Sequence, residues 1–85
     1  MVSPIAEEAG LLMLRMIVVD MGLRPDSTVN SSNFQTIFMR PPWRESDYDL
    51  GRKYLQDQGF VETAGSMLRL TGLGYAEGLR RAGKQ

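Results

Sequence analysis

Any chemistry in this 85-residue chain has to be done without cysteine and without histidine. Zinc sites draw on thiolate and imidazole ligands, so a structural zinc is excluded. Nucleophilic triads with a histidine base are excluded with it, as are disulfides and thiolate chemistry. What remains is carboxylate, guanidinium, hydroxyl and amide chemistry. Asp47 and Asp49 are two residues apart and point different ways on a helix, so they do not form an acid–base pair. No nucleophile with a base and no oxygen-rich metal loop emerges. The run Gly72-Leu73-Gly74-Tyr75-Ala76-Glu77-Gly78 superficially matches a dinucleotide-binding glycine loop. That motif needs a βαβ unit of roughly 30 residues with an acidic residue about 20 further on, a context this stretch lacks. Its glycines are expected instead to let the last helix pack closely. The reading is a non-enzyme that uses no cofactor and no metal.

The elements that must position any binding residues belong to one small domain. Hydrophobic residues make up 42% and charged residues 24%, which suits a soluble globular fold. Neither a repeat nor a low-complexity tract divides the chain. Ten basic and ten acidic residues cancel, so a nucleic-acid role has to come from local charge placement. The most apolar stretch, Leu11 to Met21, is interrupted by Arg15 and Asp20 and falls well short of the roughly 20 residues that span a bilayer. Glu7 and Glu8 precede it, where a secretory leader carries positive charge. A cytoplasmic protein without membrane contact is expected.

A first helix is expected from Pro4 to Met21, with Ser3 as N-cap and Gly22 as its left-handed stop. Thr28 and Val29 suit a very short strand. A second helix, capped by Ser31 or Ser32, runs to about Met39 with Phe34, Ile37 and Phe38 on one face, and Pro41 and Pro42 end it. Ser46 with Asp49 resembles a capping box for a third helix from Asp47 to about Gln58, stopped by Gly59. Its inward face is read as Leu50, Gly51, Tyr54 and Leu55, with Gly51 marking a close helix crossing. Two apolar runs, 60–63 and 67–70, around Ala64-Gly65-Ser66 signal a β-hairpin. Thr71 caps a last helix from Gly72 to about Ala82, with Leu73, Ala76 and Leu79 inward beside Tyr75.

This order of elements, with Leu55, Gly59, Phe60 and Val61 followed by Leu68, Leu70, Thr71 and Gly74, resembles the winged helix-turn-helix domains of bacterial, archaeal and phage regulators. In many of these a Leu-x-x-x-Gly-hydrophobic-hydrophobic run ends the recognition helix. A wing follows, and a hydrophobic-x-hydrophobic-Thr-x-x-Gly signature opens the last helix. The resemblance covers residues 27 to 82. It implies an α+β fold, mainly α: a three-helix core, a short hairpin wing and a C-terminal helix. Two features depart from the pattern. Arg40 to Glu45 is a longer, more proline-rich connection than a tight helix-turn-helix turn, and the hairpin loop carries no Arg or Lys.

The resemblance implies that helix three enters the major groove of double-stranded DNA. Tyr48, Asp49, Arg52, Lys53 and Gln56 would then reach bases or phosphates, with Arg44 and Arg69 adding phosphate contacts. Arg reads guanine bidentately, Gln reads adenine, and Lys contacts phosphate. The plainer alternative is that Asp49 pairs with Arg52 or Lys53 on a solvated face. Arg80, Arg81 and Lys84 read as a solubilising cluster at a helix C-terminus. Trp43 is expected to cover the core edge.

Helix one shows two apolar rows: Ile5, Ala9, Leu12, Met16 and Val19, and then Leu11, Leu14, Val18 and Met21. The second row is spaced like a coiled-coil seam, and a surface helix needs only one apolar face, so it is read as a homodimer interface. The expected function is a dimeric, sequence-specific transcriptional regulator, its two-fold axis favouring palindromic half-sites. The rival expectation is a winged helix that docks only on a protein partner. Zero net charge, the acidic start of helix three and the uncharged hairpin loop favour that rival.

Overall fold

Helix α1 (Pro4–Arg15) supplies much of the buried core. In the computed structural model, which describes residues 4–39 and 43–81, it buries Ala6, Ala9, Gly10, Met13 and Leu14. Ile17 and Val18 continue the same i, i+3, i+4 stripe. The chain passes from Arg15 into a wide π-helical segment, Met16–Asp20, in which the Met21 N–H reaches the Met16 carbonyl five residues back (2.8 Å). Gly22 then turns left-handed (φ +66°), and the Leu23 N–H closes onto the Ile17 carbonyl at 3.0 Å. The expected single helix is therefore regular only as far as Arg15.

Strand β1 (Thr28–Asn30) leads directly into α2 (Ser31–Phe38). Among three adjacent polar residues it is Asn30 that caps, its side chain accepting from the Asn33 N–H, and not Ser31 or Ser32. Phe34 and Phe38 point into the core, while Ile37 lies outside it. Helix α3 (Glu45–Asp57) starts two residues before the expected Asp47. The Asp47 carboxylate accepts from the Arg44 N–H at 3.0 Å, which serves an orphan donor of the first turn. The expected Ser3 cap, the Pro41-Pro42 stop, the end of the last helix at Ala82, and Lys84 fall outside the described residues.

Helix α3 ends in a Schellman turn. Gly59 adopts φ +77°, its N–H bonds the Gln56 carbonyl (3.0 Å), and the Phe60 N–H bonds the Leu55 carbonyl (2.9 Å). Two strands follow, β2 (Val61–Ala64) and β3 (Met67–Leu70), paired antiparallel with Ala64 opposite Met67. The loop is therefore two residues, Gly65-Ser66, with a left-handed glycine first (φ +63°), as a type II′ turn requires. Strand β1 pairs antiparallel with the other edge of β3, giving the sheet order β1-β3-β2. The fold is α+β, mainly helical, with a small three-stranded antiparallel sheet.

Helix α4 (Gly72–Arg81) is joined to the rest through Thr71. The Thr71 hydroxyl accepts from the Gly74 N–H (3.0 Å) and lies within donating distance of the Gly59 (2.7 Å) and Phe60 (3.0 Å) carbonyls. Of the expected inward residues, Leu79 packs against the core with Tyr75 beside it, but Leu73 and Ala76 do not. Leu73 is 59% exposed and Ala76 is exposed, whereas Gly74 and Gly78 are buried. A methyl group on Gly74 would collide with the Phe60 carbonyl, and one on Gly78 would stand 2.5 Å from Val18. Gly74 and Gly78 thus let the helix approach closely, with Tyr75 and Leu79 against the core.

Candidate nucleic-acid interface

One side of α3 is spoken for. Tyr48, Gly51 and Leu55, at i, i+3 and i+7, are buried against the core. Gly51 sits where α3 crosses α1 at Gly10, as its position in the sequence suggested. That crossing rotates the helix by about one position from the expected face. Leu50, expected inside, is 41% exposed. The outward face carries Ser46, Asp49, Leu50, Lys53 and Asp57, with Arg52 and Gln56 half-buried at its edges.

Tyr48 does not belong to the outward set. It is 3% exposed and packs against Phe34 and Phe38, with ring centroids 6.1 and 5.9 Å away. Its hydroxyl donates to the Ser31 carbonyl at 3.2 Å. Burial holds its phenol above the ordinary tyrosine range. A large aromatic with one polar end fills the core and still satisfies its hydroxyl, and periodicity alone did not separate that use from a base contact.

The other expected contacts are placed as follows. Arg44 and Lys53 are exposed, and no ion pair holds either of them among the described residues. Arg52 lies 3.8 Å from Asp49, the pairing anticipated from their spacing. Gln56 donates its amide to the Thr63 hydroxyl on β2. Arg69 pairs with Glu62 directly across the hairpin (2.8 Å). From Arg44 to Arg69, four cations stand against five carboxylates.

The hairpin is fastened down. The Ser66 carbonyl accepts from both the N–H and the hydroxyl of Ser31 at the start of α2, each at 2.9 Å. The turn is thereby joined to the helical body, and Gln56 joins the adjacent strand to α3. No sequence signal marked these ties, because Ser31 read equally well as a cap.

Two of the four residues of the expected self-association seam lie inside their own chain. Leu14 is 1% exposed and Val18 5%, both in the core of their own chain. Leu11 and Met21 are half-buried at the stripe's margins. α1 packs on α3 and α4: Gly10 and Gly51 let α3 approach to backbone distance, and Gly78 makes room for the Val18 side chain. Part of the apolar surplus that suggested a dimer is thus taken into the core of one small domain. Trp43 covers the core edge as expected, its ring 5.3 Å from that of Phe38.

Arg80 and Arg81 both close onto Glu77 at 2.6 Å. These hydrogen bonds hold the Glu77 carboxyl below its ordinary range. Among the described residues, no group of acidic side chains is placed to hold a metal ion, and no helix is long and apolar enough to cross a membrane. Compared with known proteins, the chain matches no family model, no curated protein and no solved structure.

Proposed function

We propose that this chain is a winged-helix module that binds double-stranded DNA through the outward face of α3, in the manner of a small transcriptional regulator. The single observation that carries the reading is the path from α3 through Gly59 into a hairpin whose β3 pairs back to β1. That order and pairing supports a winged-helix-like layout, and the step from layout to DNA is an analogy at the level of fold. The major groove is about 12 Å wide and admits one helix. On the face that would enter it, Lys53 is free to meet a phosphate and Leu50 a thymine methyl. Arg52 is held by an exposed, long ion pair, which a base exchanges at little cost. Arg44, at the N-terminal mouth of α3, supplies a second phosphate contact.

The test is selection of bound duplexes from a randomised pool, followed by a mobility shift on the enriched sequence at low salt. Enrichment of a defined site supports the proposal, and a pool that stays random counts against it.

A second reading, docking on a protein partner without DNA, is favoured by one observation: the α3–hairpin surface has a surplus of one carboxylate. Non-specific DNA affinity comes from counterion release by cations, and this surface offers little of it. Failure to bind any duplex at low salt, with the fold intact, would favour this second reading.

A further inference from the structure

An open groove of about 410 Å³ runs between the π-helical segment 16–20 and α2. Among the described residues its walls include Met16, Met21, Ile37, Phe38 and Trp43, and the one charged residue among them is Asp20. The volume falls in the range of small-ligand pockets, about 300–1,000 Å³, and the lining has their character: apolar and aromatic with a single polar group.

Asp20 has no evident structural reason to be where it is. It is the last residue of the π-helical segment, where aligned peptide dipoles present their negative end and a carboxylate is unfavourable. It is exposed, and none of the ion pairs among the described residues includes it. Carboxylate and helix end together make the Asp20 end of the groove electronegative. Trp43 lines the same groove, and an indole ring attracts organic cations. Met16 and Met21 are unbranched side chains that adapt to the shape of a bound body.

We propose that this groove binds an organic cation: a primary or quaternary ammonium carried on an aromatic or branched aliphatic body. The apolar body lies against Ile37, Phe38 and Trp43, and the ammonium faces Asp20. The chemistry excludes anions of the same shape. The assignment does not depend on the DNA reading, since it uses no residue of α3.

Trp43 is the single tryptophan of the chain, so its fluorescence reports on the groove. The full chain is titrated with benzyltrimethylammonium, with phenylacetate as the anionic counterpart and benzyl alcohol as the neutral one. The expected result is a saturable change in Trp43 emission at lower concentration for the cation than for either counterpart. In Asp20→Asn, whose fold is checked by circular dichroism, the cation should bind roughly three- to tenfold more weakly. Absence of a saturable change, an equal response to all three probes, or an Asp20→Asn curve that overlays the wild type would overturn the assignment. A change that follows protein concentration and not the probe would mean that a second copy fills the groove, and would overturn it too.

Discussion

Gly10 of α1 and Gly51 of α3 meet without a side chain between them. A Cβ on Gly51 would stand 2.9 Å from the Gly10 nitrogen and 3.0 Å from the Ala9 carbonyl carbon; one on Gly10 would stand 3.0 Å from the Gly51 carbonyl oxygen. Backbone cannot move aside as a flexible side chain can. This contact fixes the rotation of α3, and through it which residues face outward.

Gly51→Ala is therefore expected to destabilise the fold. Overpacking costs about 1–3 kcal/mol. That exceeds the about 1 kcal/mol that alanine gains over glycine in a helix. Gly72→Ala is the matched control, because nothing lies within 4 Å of its added carbon. Urea unfolding of both variants should show a lowered midpoint for the first and an unchanged or raised one for the second. Equal midpoints would remove the crossing from the account.

Leu14→Glu and Val18→Glu test the reassignment of the α1 seam. Both residues lie in the core of their own chain, so an introduced carboxylate would be buried without a partner. The expectation is loss of the cooperative thermal transition. If the seam were an intermolecular interface, the variants would instead keep the transition and show a smaller mass by light scattering.

Tyr48→Phe keeps the ring packing and removes only the bond to the Ser31 carbonyl. It should cost about 0.5–1.5 kcal/mol in chemical denaturation and leave DNA affinity unchanged. Tyr48→Ala should cost about 3–5 kcal/mol, as for other buried aromatics. A Tyr48→Phe protein with native stability and weakened duplex binding would return the hydroxyl to the interface.

Glu77 gives a pH dependence of defined sign. Its carboxyl is lowered from 4.5 by hydrogen bonds from Arg80 and Arg81. A depressed carboxyl contributes stability that is present above its unfolded value and is lost as pH falls through the folded one. The side chain of Glu77 is mostly covered while both arginines are exposed, so the effect is modest. Melting temperatures of wild type and Glu77→Gln should differ at pH 7 and converge below about pH 4. Parallel curves across that window would contradict the assignment.

Much of the fold was legible because glycine and threonine mark backbone geometry locally. Gly22 and Gly59 announced left-handed helix ends, Gly51 a close crossing, and Thr71 a cap. What stayed hidden was decided by tertiary contact. Tyr48 and Leu50 compete for the inward face of α3, and only the Gly10–Gly51 contact settles it for Tyr48. Leu14 and Val18 looked surplus because nothing local shows that Gly78 brings α4 onto Val18. Of the proposed DNA contacts, Arg44, Asp49 and Lys53 were rightly read as exposed. Gln56 and Arg69 could not be known to have partners across the hairpin, since those pairings depend on strand register.

Lys53 stands on the outward face of α3, where the proposed DNA contact would be made. The measurement is fluorescence anisotropy of a labelled selected duplex across a series of salt concentrations, for wild type and Lys53→Ala. Affinity should fall as salt rises, and the log–log slope should become shallower by about one when Lys53 is removed. Wild-type binding indifferent to salt, or two superimposable slopes, would contradict the proposed contact.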